Sequence, residues 1–341
     1  MLAATKRFRS TAEGLNEPRT HPRGSRLGLS YVPRSVQNVV FVLLTGLGWG
    51  LLGPASKVLY ATDAGVWNGI TVSVARAAWA FPIFLFALAA AWRISPPRLD
   101  AKRWAAVIAA GLIFGLVVSV VFTIAAQYTS VAHISFLVGF SPVTNTAIAA
   151  LVFRTALDRR QWTALTLGVI GVGMLALTHS SDKSAFMGDV LMLVWLAAFA
   201  AYACLLRIVG TRMNGVMTMS LVGTISMAVL LVPGTLLGYG GAIAHAADAP
   251  AISWWFFGEV LLGSTLIAQT TFAAAVRRLG VSVATIGAEY TALAVGVAMS
   301  LALHESWTVL TVIGGLVLCC ALAVTFVPIP WLTAGPARRA A

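Results

Sequence analysis

The residues able to do chemistry in this chain are few, and the most telling ones sit where a charge is unwelcome. Between Val281 and Leu303 the single ionisable side chain is Glu289, beside Tyr290, in a run of otherwise apolar, small or hydroxyl residues. A carboxylate facing lipid there would cost several kcal/mol, so it must face protein or water. Three roles are open to it: binding a substrate amine, carrying a coupling proton, or pairing with a basic residue. The one basic residue deep in an apolar run is Arg76. Its guanidinium suits a bidentate bond to a substrate carboxylate, or support of backbone carbonyls near a helix break. Arg76 and Glu289 also suit each other, which would withdraw both from ligand binding.

Further along, His133, Phe136, Phe140 and Thr144 fall at i, i+3, i+7 and i+11, one stripe of a helix, with Asn145 beside its lower end. Such a mixture fits a wet cavity; the plainer alternative is helix packing with His133 near the outer interface. Glu289, Ala292 and Gly296 share a face that allows a ligand or a helix close approach. Trp49, Trp79, Tyr202, Gln269 and Tyr290 complete the candidates for a substrate cavity, with ordinary packing or an interfacial belt as the competing role for each. An aromatic face attracts an ammonium group by roughly 0.5 to 2 kcal/mol. Pro82, Pro142 and Pro233 each remove a helical hydrogen bond within a segment, which makes them candidate hinges or static kinks. Cys204, Cys319 and Cys320 lie in apolar segments, two of them adjacent, so neither a disulfide framework nor a metal site is expected, and no cofactor is implied.

The elements that must position these residues follow from composition. Of 341 residues, 59% are hydrophobic and 10% charged, against roughly 25% charged in a soluble domain. This is the composition of a membrane protein. The net charge of +12 is spread between apolar runs rather than gathered in a patch, so a nucleic-acid partner is not expected. A helix needs about 20 apolar residues to cross the bilayer. Ten such segments are expected, near 36–57, 66–91, 104–128, 131–153, 160–178, 186–209, 216–239, 254–277, 281–303 and 307–327. Twenty of the Lys and Arg residues fall at one end of these segments and only Lys57 and Lys183 at the other, with Arg76 inside a segment. Positive residues stay on the cytoplasmic side, so both termini are expected there. Residues 1–35 read as a basic, disordered cytoplasmic arm able to touch anionic lipid, or simply as a topology signal. They do not read as a cleaved signal peptide, since the first apolar run is too long and no small-residue cleavage site follows it. Residues 329–341 form a cytoplasmic tail.

The chain repeats itself at an offset of 150 residues: Trp104 with Trp254, Phe122 with Phe272, Ala125 with Ala275, Val131 with Val281 and Leu151 with Leu301. Phe140 with Tyr290 and Ser141 with Thr291 are similar pairs, and Pro82 with Pro233 agree within one residue. Five crossings per repeat force the second half, 181–328, to enter from the side opposite to the first, 36–180. Inverted halves are a recurring basis of alternating access, with the substrate near the midplane between them. A carrier is therefore favoured over a channel, and over a membrane-embedded enzyme, for which the eleven scattered acids supply no catalytic cluster.

The stretches "LLTGLGWGLLGPASKVL", "SVARAAWAF", "AAQYTSVAHISFLVGFSPVTNTAIAALVF" and "AAAVRRLGVSVATIGAEYTALAVGVAMSLALHESWTVLTVIGG" resemble the ten-helix, EamA-type members of the drug/metabolite transporter superfamily. The resemblance spans about 36–327 and is most like the bacterial aromatic-amino-acid exporters. It implies an all-α integral membrane fold, a basket of ten helices around a central cavity. One departure stands out: Thr155 replaces a Glu common in the first half, whereas the second half keeps Glu305. The expected function is an inner-membrane carrier that exports amino acids, aromatic or other apolar ones included, with lipophilic cations or other drug-like metabolites as the alternative. No G-x-x-x-x-G-K-[ST] loop is present, so no ATPase subunit is required and the drive is a substrate or ion gradient. A monomer is favoured, a dimer being the alternative through the small residues Gly168, Gly171, Gly173, Gly314 and Gly315.

Overall fold

A computed structural model describes residues 34–63, 65–179, 182–210, 213–245 and 248–326. The basic arm and the C-terminal tail expected from sequence lie almost wholly outside these residues. The described chain is all helical. In order it runs α1 (Arg34–Thr62), α2 (Gly69–Ile94), α3 (Ala101–Tyr128), α4 (Val131–Gly139), α5 (Ser141–Phe153), α6 (Arg159–Thr178), α7 (Lys183–Gly210), α8 (Gly215–Leu236), the short α9 (Gly240–His245), α10 (Ala251–Leu279), α11 (Val281–Ala302) and α12 (Val309–Phe326). Eight of these are long and apolar enough to cross a membrane, and α4 with α5, bent by 42°, makes a ninth span if the two are counted together. The remaining apolar helix, α12, packs along α6. An all-α, multi-pass membrane protein is the result.

Local chemistry explains the helix starts. Asn68 and Asp158 form capping boxes with Thr71 and Gln161, while Asp100, Ser130 and Asn214 each accept a backbone N–H of the first turn. These side chains satisfy donors that a helix start leaves unpaired. Arg154 and His304, 150 residues apart, both take a left-handed conformation (φ 54°), ending α5 and following α11. Close packing depends on glycine where two helices touch backbone to backbone. A Cβ at Gly50 would lie 2.8 Å from the Ala292 carbonyl oxygen on α11, and one at Gly171 would lie 3.0 Å from that of Gly314 on α12. Gly171 and Gly314 thus serve packing within the chain, and a substituent at either would push the helices apart.

The three candidate hinge prolines differ in their surroundings. Pro82 and Pro233 sit inside uninterrupted helices, as does Pro54 of α1. Pro142 occupies the first turn of α5, just after the break at Phe140, where its missing N–H would have had no helical partner. The fourth segment is thus two helices, and its break places the start of α5 in the interior.

Two spans carry a wide-turn π segment: Ile113–Ser119 within α3 and Glu259–Ala268 within α10. Shifted by 150 residues, the first overlaps the second. A π turn inserts a residue into the α register and rotates the side chains beyond it. Both segments face the same part of the interior.

Candidate functional site

Among the described residues, two of the cavities along the interior are lined by polar groups left without partners. The first, about 30 Å³, is enclosed by an aromatic cluster of Trp49, Phe114, Phe122, Trp195 and Phe199. Trp195 stacks on Phe199 at 5.0 Å, and Trp49 meets Phe199 edge-on at 5.3 Å. Such a volume holds only one or two waters. Its polar wall comprises Arg76, Ser119, Ser264, Thr265 and Gln269. Arg76 is 4% exposed, and its Nε and Nη2 atoms have no hydrogen-bond partner. Ser119 Oγ and Gln269 Oε1 are also buried without partners. Buried polar groups are ordinarily satisfied, so a cluster of four such atoms around one void marks a place built for something else to bond. The wall contains no carboxylate.

The π segments deliver these groups. Phe114 and Ser119 come from the first, Ser264 and Thr265 from the second, and Gln269 directly follows it. Phe114 pairs with Ser264, and Ser119 with Gln269, at the 150-residue offset. The sequence reading includes Gln269 but not Ser119, Phe114, Trp195 or Phe199. The signal for Ser119 was present as the offset partner of Gln269. A 3.6-residue period conceals it, because the π turn breaks that period.

The second cavity is a vestibule of about 600 Å³, bordered by Asn145, Thr155, Gln161, Cys204, Arg207 and Thr285 among others. Asn145 is 5% exposed, and neither atom of its amide has a partner. Exposed Phe153, Thr155 and Arg207 stand at its rim, the end at which the basic residues gather.

Glu289 lines neither cavity. It is fully buried one turn beyond Thr285, and its Oε1 accepts the Ser141 hydroxyl at 2.7 Å, while Oε2 has no partner. Ser141 begins α5, so the carboxylate lies by the partly positive start of that helix. On both α7 and the α4–α5 pair, residues of the aromatic cavity precede those of the vestibule: Phe199 then Ala203, Val138 then Pro142. Glu289 and Ser141 occupy the septum between. Among the described residues no ion pair joins Glu289 to Arg76, so the mutual neutralisation left open by sequence is not formed.

The other candidates are dispersed. His133 lies in a separate polar cluster at the start of α4 and touches neither cavity, and the break at Phe140 parts it from Thr144 on the expected stripe. Phe136 and Phe140 are buried, and Cβ atoms added at Gly315 and Gly168 would meet their rings. Thr144 donates to the Ser141 carbonyl at 2.9 Å. Tyr202 is buried and stacks behind Phe114 at 5.0 Å, while Trp79 and Tyr290 are exposed on the helix surface.

At the end opposite the vestibule rim, Glu305 spans the two halves of the sequence. Its Oε1 accepts the Val131 N–H at 2.8 Å and its Oε2 the Ala132 N–H at 3.0 Å, capping α4. Ser300 donates to Glu305 at 2.6 Å, and Trp307 Nε1 donates to Ser300 at 3.0 Å. Comparison with known proteins bears on what this arrangement is for. Residues 37–177 match the EamA-like transporter family. By that match the first part of the chain resembles a family of membrane transporters. A solved crystal structure, described only as that of a protein, aligns with 86% of this chain and 98% of its own at 15% identity and a TM-score of 0.53. It shares the fold, and this likeness reaches well beyond the family match. No curated protein matches the chain.

Proposed function

We propose that the protein is an inner-membrane carrier that exports amino acids, aromatic or other apolar ones included, by alternating access between two inverted five-helix halves. The observation that carries this reading is Arg76: a buried guanidinium with unpartnered nitrogens, facing an aromatic wall that holds no acid. That pairing of one cation with apolar rings suits a carboxylate attached to an apolar side chain. A lipophilic cation would meet the positive charge with no counter-charge in the wall. Multiply charged anions would need more compensation than one guanidinium gives in a low-dielectric site.

The geometry supports a route as well as a ligand. An amino acid enters the vestibule at the basic, cytoplasmic end and reaches Asn145. It passes the septum of Glu289 and Ser141, where the unpartnered carboxylate oxygen can accept its ammonium group, and then engages Arg76. In this conformation the aromatic cavity is too small for it, so the helices must separate before Arg76 is reached. The ten-span count, with α12 as the last crossing, and the cytoplasmic termini belong to this reading. The recurrence of the π segments and left-handed caps at the 150-residue offset supports it.

The test is counterflow in proteoliposomes with radiolabelled phenylalanine, tryptophan, leucine and tetraphenylphosphonium, with and without a pH gradient. Saturable amino-acid counterflow is expected, lost in Arg76→Gln and reduced in Glu289→Gln. Counterflow of the organic cation alone would overturn the substrate class.

A further inference from the structure

A second group of chemically able side chains lies apart from both cavities. His133 at the start of α4, His179 just after α6 and Asp189 in the second turn of α7 converge, although their positions span more than fifty residues of sequence. Their donor atoms all lie within 4.8 Å of one another. His133 and Asp189 are buried, while His179 is partly open. His133 Nδ1 stands 3.2 Å from both oxygens of Asp189, and His179 Nδ1 stands 2.9 Å from Oδ2. The two imidazoles stack with centroids 4.1 Å apart.

Hydrogen bonding around the cluster bears on which nitrogen of His133 carries hydrogen. Thr178 donates its hydroxyl to the Leu175 carbonyl at 2.6 Å. Towards His133 Nε2, at 3.2 Å, the same hydroxyl oxygen can therefore only accept, which favours an N–H there, while the Thr311 hydroxyl at 3.5 Å is able to donate to the same nitrogen. With the hydrogen on Nε2, Nδ1 is a bare lone pair aimed at a carboxylate. Two acceptors face one another, and a positive species belongs between them. With one oxygen as ligand, the 3.2 Å from His133 Nδ1 to Asp189 Oδ2 is close to the edge of a tetrahedron, about 3.3 Å, around a metal with arms of about 2.0 Å.

We propose that His133, His179 and Asp189 bind a divalent transition-metal ion of the zinc class, which ties the ends of α4, α6 and α7 together. Two imidazoles and one carboxylate select such an ion over magnesium or calcium, which prefer all-oxygen sites. The surrounding hydroxyls act as an outer support. Thr178 holds the far nitrogen of His133, and Thr129 donates to Asp189 Oδ1, as second partners commonly do for metal ligands. His179, the partly open member, is the route for the ion and leaves room for a fourth ligand from water. The site adjoins the turn of α4 capped by Glu305, so an ion there braces the same end of the molecule.

The experiment uses the full chain in nanodiscs, freed of any affinity tag and of metal, titrated with zinc chloride by calorimetry and followed by thermal unfolding. Expected are one equivalent of zinc per chain and a rise in Tm, both lost in His179→Gln and in Asp189→Asn. His179→Gln is the decisive variant, because the side chain is partly open and a glutamine amide can still donate to Asp189 in place of the imidazole. A variant with Cys204, Cys319 and Cys320 all changed to Ser should retain the binding. No zinc uptake by the folded parent, or unchanged uptake by His179→Gln, overturns the proposal. Loss of uptake in the cysteine variant alone would assign the zinc to thiols and overturn it equally.

Discussion

The two ends of the molecule are built from matching parts and finished differently. At one end the start of α4 is capped by Glu305 through two backbone amides, with Ser300 and Trp307 holding the carboxylate. At the other end α11 follows Gly280, which has no side chain to cap it. The residue 150 positions before Glu305 is Thr155, which borders the vestibule. A carboxylate at a helix start bonds two orphan amides and complements the dipole; a threonine does this more weakly and with shorter reach. The 600 Å³ space lies at the end away from the Glu305 cap. On the proposed carrier reading, the difference between Glu305 and Thr155 at the 150-residue offset would favour a resting state with the vestibule open.

The largest effect is expected where both ends must act on the same ligand. Arg76→Gln should reduce amino-acid counterflow by about 30-fold or more, the scale of losing one partner of a buried charge pair. Arg76→Lys should not restore it, since an ammonium lacks the planar fork. Next comes the capped end itself. Glu305→Ala removes a helix cap worth about 1 kcal/mol, so exchange of the Val131 and Ala132 amides with deuterium should quicken by about fivefold. Unchanged exchange would mean that the cap does not hold this end.

The converse change sharpens the comparison further. Thr155→Glu supplies the missing carboxylate, and should shift the resting state toward a closed vestibule by about threefold, on the scale of a helix-terminus charge. Slower alkylation of Cys204, which borders that space, would report it by peptide mass spectrometry; an unchanged rate would separate the two repeats. The smallest effect is assigned to Asn145→Ala. It should raise the half-saturating amino-acid concentration about two- to threefold, as expected for one neutral hydrogen bond, with the maximal rate little altered.

Much of this was legible in the sequence because hydrophobic length is a local property. The helical segments, the offset of 150 residues and the isolation of Arg76 and Glu289 all follow from the chain read in order. The candidate site was only partly legible. Trp49, Arg76, Gln269 and Asn145 do border the cavities, whereas His133, Trp79, Tyr202 and Tyr290 do not. The stripe through His133 and Thr144 presumes one straight helix, and the break at Phe140 removes that premise. Ser119 and Phe114 were hidden by a π turn. His179 and Asp189 carried no signal at all, because their meaning depends on reaching His133 from other helices.

What the sequence by itself determined is the solvent the chain lives in and the segments that cross it: long apolar helices are stable there because each satisfies its own backbone. The tertiary structure alone decided which buried polar atoms stay unpaired and which find partners. Arg76 and Glu289 illustrate the division. Sequence marks both as buried charges that need company, and only packing puts Ser141 against Glu289 while leaving Arg76 facing the aromatic wall. That choice depends on where helices bend and how closely glycines let them approach, and neither is a property of a segment taken alone.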